Sequence, residues 1–155
     1  MNIFYLDTDP AIASKYHLDK HVVKMPLETA QILCTAHWLQ GKEAPYKPTH
    51  KKHPCTIWVT QSIKNYDWVC QLGLELCKEY TFRYGRTHKC EAIIQWCIEN
   101  KPELSLENTQ DYALAMPDEY KVEGDVVQSY RNYYKHGKKH LHNWSKREIP
   151  SWLNY

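Results

Sequence analysis

Between Pro54 and Gly85, apolar side chains recur at a helical period. Trp58, Tyr66, Val69, Cys70, Gly73, Leu76, Cys77 and Tyr80 keep a 3.6-residue rhythm. No segment sustains the strict alternation of a half-buried strand, so the expected fold class is all-α. The spacing predicts one long helix opened by Pro54, closed by Gly85 and bent near Gly73. Earlier in the chain, Asp9 and Pro10 read as the N-cap and first residue of a helix. Helical periodicity then runs through Ile12, Tyr16, Val22, Val23, Leu27, Ala30, Ile32, Leu33, Ala36 and Leu39. Pro26 should break or kink that run, which gives two helices, over 10–18 and 20–40. Residues 2–6 form a short apolar start, extended or simply packed. Residues 41–52, with two prolines and many polar residues, read as a loop. Thr87 reads as the cap of a helix over 88–99. Pro102, Pro117 and Gly124 make 100–124 irregular, and a last helix over 125–135 precedes a basic aromatic tail. A length of 155 residues suits one compact helical bundle, 1–155.

No run approaches the roughly 18 apolar residues of a membrane span. The opening MNIFYLDTDP lacks a basic stretch followed by a long apolar one. No membrane partner is therefore expected, and the expected location is cytoplasmic, in the host cytoplasm if the protein is viral. The six cysteines contain no CxxC pair, and Cys70/Cys77 and Cys90/Cys97 are spaced seven apart. They read as reduced, buried thiols rather than as a zinc site or disulfide framework.

The formal net charge of +2 conceals segregation. Residues 42–90 carry net +5 and 126–155 carry net +5, while 91–125 carry net −7 and 1–41 carry net −1. Two basic blocks separated by an acidic one suggest an anion-binding face beside a solvated acidic face. The second basic block interleaves Arg131, Lys135, Lys138, Lys139, Lys146 and Arg147 with Tyr130, Tyr133, Tyr134, Trp144, Trp152 and Tyr155. Cations neutralise phosphates, and aromatic faces stack on unpaired bases. The competing reading of Tyr130, Tyr134 and Trp152 is that they are core.

A polar constellation lies near the N-terminus. His17, His21, Lys24 and Glu28 follow i, i+4, i+7, i+11 spacing and share one helix face, with Asp19 and Lys20 beside them. His50 and His53 flank Lys51 and Lys52. His17 and His21 have the i, i+4 spacing of helical zinc ligands, with Asp19, His50 or His53 as a possible third. No HExxH pattern accompanies them, and no metal or other cofactor is assigned. The alternative is an anionic-substrate pocket with His or Glu as acid or base. A solvated helix face is the third reading, although such faces favour Glu and Lys over histidine.

Several segments together resemble the pyrimidine-dimer DNA glycosylases with AP-lyase activity, a superfamily of small all-helical phage and bacterial enzymes. Leu18 to Gln31 (LDKHVVKMPLETAQ) is similar to that family's first basic–acidic helix. Tyr46 through His53-Pro54 resembles its Tyr…His-His-Pro element. Glu79–Gly85 (EYTFRYG) resembles an aromatic-Arg-Gly helix end, and KREIPSWLNY its C-terminal Pro-x-Trp-Tyr ending. DKHVVKM, EYTFRYG, AMPDEYK and SYRNYY also resemble an uncharacterised group of phage and giant-virus proteins.

The resemblance implies that the N-terminal α-amine attacks C1′ of a damaged nucleotide to form an imine. A nearby carboxylate assists, and β-elimination then cuts the strand. An α-amine titrates near ~8, which leaves a useful neutral fraction at pH 7. Asn2 is a poor context for removal of Met1, so Met1 itself would supply the amine. The family's essential carboxylate aligns near His21, and Glu28 lies two turns further on. Met1, His21 and Glu28 are therefore the expected catalytic residues. Asp19, Lys20, Lys24, His50, Lys51, Lys52, His53, Arg86 and Arg131 are expected on phosphate or substrate, with Trp144, Trp152 and Tyr155 supporting a displaced base. The expected partner is DNA or a nucleotide, bound by a monomer. The alternatives are an enzyme acting on a free nucleotide or modified base, and a non-catalytic phage protein binding nucleic acid or a host factor.

Overall fold

Asp9 accepts a hydrogen bond from the Ala11 amide and Pro10 occupies the first helical position, which starts α1 at Pro10–Tyr16. The computed structural model describes residues 2–107 and 112–153. The remaining α-helices are α2 (Asp19–Leu39), α3 (Pro54–Thr60), α4 (Ile63–Tyr84), α5 (Glu91–Glu99) and α6 (Val126–Asn132). No strand occurs among the described residues, and the fold is an all-α bundle. α2 packs against α3, α4 and α5, and α1 against α4. None of the helices is long and apolar enough to cross a membrane.

Two helix boundaries differ from the periodicity reading. The helix beginning at Pro54 stops at Thr60, and a second begins at Ile63. Ser62 interrupts the run because its hydroxyl accepts from the Lys64 amide and so caps α4 in its own right. α4 then continues through Gly73 as one helix. A Cβ on Gly73 would lie 2.9 Å from Thr29 Cγ2 and 3.0 Å from Ile94 Cδ1, so this glycine permits the close approach of α2 and α5. Gly85, at φ +72°, closes α4 as a left-handed cap.

α1 and α2 meet at His17–Leu18, close to the bounds of 10–18 and 20–40 read from the sequence, and α2 runs on through Pro26. Pro26 removes the amide partner of the Val22 carbonyl. On the next carbonyl, that of Val23, His88 Nε2 donates a hydrogen bond of 2.8 Å from outside the helix. Thr87 does not cap α5, which starts at Glu91. The preceding turn is closed by His88, whose Nδ1 accepts from the Cys90 amide.

The core is built around tyrosines whose hydroxyls find partners, the condition for burying them. Tyr66 donates to the Cys97 carbonyl, and Tyr130 to the Ala113 carbonyl while accepting from the Ala115 amide. All six cysteines are buried and reduced. Ile3, Phe4 and Leu6 of the extended N-terminal segment are buried in the same core. That burial fixes where the chain begins relative to α2.

The basic tail is clamped by a buried ion network. Arg83 donates to Asp19 at 3.0 Å and to Glu79 at 2.8 Å, and Arg147 donates twice to Glu79 at 2.9 Å. Ser145 adds its amide and hydroxyl to the Asp19 carboxylate. Residues 143–147 are thereby held across the α1–α2 junction and α4.

Candidate functional site

The residues from 2 to 4 run beside the outer face of α2, and a cavity opens where they meet. It has a volume of ≈ 430 Å³ and is lined by Asn2, Phe4, His21, Lys24, Glu28, His53 and Lys138, among others. Helical spacing sets the α2 contribution, since His21, Lys24 and Glu28 lie on one face. His53 reaches the cavity as the N-cap of α3, its Nδ1 accepting from the Cys55 amide.

Glu28 is buried, yet its carboxylate is the anchor of the site. Oε1 accepts the Asn2 backbone amide at 3.0 Å, and Oε2 lies 3.9 Å from the Lys24 ammonium. Asn2 is itself strapped in place. Its side chain donates to the Ala115 carbonyl, and its Oδ1 accepts from the Ile3 amide. The beginning of the described chain is thus fixed against a carboxylate rather than left in solvent.

His21 is held from behind by Tyr134. The Tyr134 hydroxyl accepts from the Leu18 amide at 3.1 Å and pairs with His21 Nδ1 at 2.7 Å. Phe4 stacks on the imidazole at a centroid distance of 4.4 Å. Burial, reinforced by His17, Lys138 and Lys24, pushes His21 down to about 2. His17, enclosed beneath it, is pushed down to about 4, chiefly by burial and despite its bond to the Ala13 carbonyl. Both imidazoles are neutral at pH 7. His21 therefore carries no positive charge to donate as acid.

The fourth wall comes from the tail. After α6 the backbone widens into a π-turn over Tyr133–Gly137, a feature often found at functional sites. The widening carries Lys138 to the cavity, where its ammonium sits 5.0 Å above the Tyr133 ring and 5.9 Å from Phe4. Gly137 is required there, because a Cβ would lie 2.6 Å from Tyr133 Cδ1.

The expected site residues separate into three groups. His21, Lys24, Glu28 and His53 converge on the cavity. Lys20, His50, Lys51 and Lys52 are exposed outside it. His50 has a left-handed backbone at φ 47° and pairs with the Thr49 hydroxyl. Arg86 lines a neighbouring groove together with Lys24.

Asp19, Arg131, Trp144 and Trp152 lie outside the cavity lining and are held in contacts of the fold. Asp19 is spent on Arg83 and Ser145. Arg131 is bound to the Leu6 carbonyl and Asp7 carboxylate, with its guanidinium over Trp152 and Tyr16. Trp144 is buried and donates to the Tyr16 carbonyl. Trp152 is half-buried and edge-on to Tyr16. Met1 and Tyr155 lie outside the described residues.

Asn2, Phe4, Tyr133 and Lys138 are among the cavity residues that sequence reasoning did not assign to the site. Only Lys138 and Tyr133 carried a signal, as members of the basic aromatic block. Among the described residues, no group of three or more His, Cys, Asp or Glu side chains could hold a metal ion. No family model, curated protein or solved structure matches the chain.

Proposed function

We propose that the protein is a DNA base-excision enzyme of the glycosylase/AP-lyase type, working at the Glu28 cavity through the amine at its N-terminus. The observation that supports this most is the 3.0 Å bond from the Asn2 amide to Glu28 Oε1. That amide belongs to the residue next to the N-terminus, and the reading sets the nucleophilic amine beside the same carboxylate.

In this reading the neutral amine attacks C1′ of the damaged nucleotide. The C1′–N bond breaks, and the base departs with a proton. Ring opening of the sugar yields an imine between the amine and C1′. Glu28 relays the protons of these steps and then accepts the C2′ proton, so that the 3′ phosphate leaves and the strand is cut. Lys24 and Lys138 offset the phosphate charge. Neutral His21 contributes, stacked on Phe4, a flat wall.

The reading is tested by strand cleavage of UV-irradiated duplex and of DNA containing abasic sites. Cleavage should fall about 100-fold or more in Glu28→Gln. No cleavage of either substrate by the unaltered protein overturns the proposal. Thermal stabilisation by free nucleotides, without cleavage, would instead favour the nucleotide-acting alternative, for which the cavity volume of ≈ 430 Å³ is adequate.

A further inference from the structure

A second cavity of ≈ 530 Å³ shares Lys24 with the first. Its floor is apolar: Val23 and Leu27, 45% and 40% exposed, together with Tyr80. Its rim is cationic, with Lys24, Arg86 and Lys89. The wall between them is preformed. His88 is fixed at both nitrogens, to the Val23 carbonyl and the Cys90 amide, and Tyr80 packs edge-on against it at 4.8 Å.

We propose that this groove binds the base of the nucleotide flanking the reacting one on the same strand. The inference rests on the reading of the Glu28 cavity given above. The charge pattern selects the occupant. An apolar floor with an aromatic ring suits a planar heterocycle, and three cations around it suit the phosphates on either side. An apolar protein segment would use the floor and leave the cations without counter-charge. The shared Lys24 sets the register: the phosphate between the reacting nucleotide and its neighbour passes over that ammonium. The groove thus makes the enzyme depend on one specific flanking base being unstacked, which is easier next to a lesion or in a single strand.

The test uses oligonucleotides carrying one tetrahydrofuran residue, an unreactive abasic analogue, with binding read by fluorescence anisotropy. In two further oligonucleotides the neighbour on the 5′ or the 3′ side is also replaced by tetrahydrofuran, which removes one flanking base. The unaltered protein should lose about tenfold in affinity when the base on one side is removed, and little when the other is. Leu27→Glu, an exposed position, should lose about tenfold on the base-bearing strand and no longer respond to removal of that base. Arg86→Ala should weaken binding to all three strands.

Equal binding with and without either flanking base overturns the inference. So does a Leu27→Glu protein that keeps the full difference. If strand cleavage at saturating DNA is normal while the flanking base is irrelevant, only the groove assignment fails. If no tetrahydrofuran oligonucleotide binds and DNA with a true abasic site is not cleaved, the reading of the Glu28 cavity fails with it.

Discussion

Acid should destabilise this protein well above the pH at which carboxylates titrate. His17 and His21 ordinarily titrate near 6.5, and in the fold they are held at about 4 and about 2, chiefly by burial. Below pH 6.5 the unfolded chain therefore takes up two protons that the folded chain refuses. Stability is fully present above that pH and falls as pH drops, by about 1.4 kcal/mol per unit for each imidazole. Between pH 7 and pH 5 each contributes a loss of about 2 kcal/mol, so the pair costs about 4 kcal/mol. That is a large share of the roughly 5–15 kcal/mol of a typical domain.

The result is insensitive to how low the folded values lie, provided both stay below pH 5. His37 is lowered by burial and acts in the same direction. Glu79 does not contribute in this window. Burial raises its carboxyl, but hydrogen bonds from Arg147 and Arg83 outweigh that and hold it below 4.5, so its stabilisation is lost only under still more acidic conditions. Urea unfolding followed by tryptophan fluorescence at the two pH values measures the difference directly. His21→Gln should roughly halve the pH-dependent loss, whatever its effect on stability at pH 7. A loss below about 1 kcal/mol, or one unchanged by His21→Gln, refutes the account of two neutral buried imidazoles.

Three further outcomes are expected. Gly85→Ala should lower stability by about 1 kcal/mol, because φ +72° is strained for any residue with a Cβ while the space around it is open; urea unfolding reads it. Arg83→Met should cost about 3 kcal/mol or more, since Asp19 then loses its buried cation, and calorimetry should show a corresponding fall in Tm. Lys138→Ala should weaken binding to abasic-analogue DNA and reduce the slope of affinity against salt by about one, with the fold unchanged by circular dichroism.

The helices were largely legible because their signals are local. Asp9-Pro10, Pro54 and Gly85 act within a turn of where they stand, and helical spacing alone places His21, Lys24 and Glu28 on one face. The break at Ser62 was missed because apolar periodicity continues across it; a single serine cap overrode the pattern. The 10–18 and 20–40 helices were also close to the structure, although the break between them lies at His17–Leu18 and α2 runs on through Pro26.

Charge in the sequence was the poorest guide to the site. Arg83, Arg131 and Arg147 contribute to the basic blocks, yet all three are bound to carboxylates of the fold. The place of Asn2 and Lys138 in the Glu28 cavity could not be read from the sequence. Their place there depends on contacts between residues more than a hundred positions apart, such as Asn2 with Ala115.

The central claim is tested most directly by trapping. The protein is incubated with abasic-site DNA and borohydride, and the adduct is digested and located by mass spectrometry. The account predicts one covalent adduct, reduced to a secondary amine on the N-terminal α-nitrogen, and its loss when that amine is acetylated. An adduct on a lysine side chain, or no adduct under conditions where the strand is cut, would contradict it.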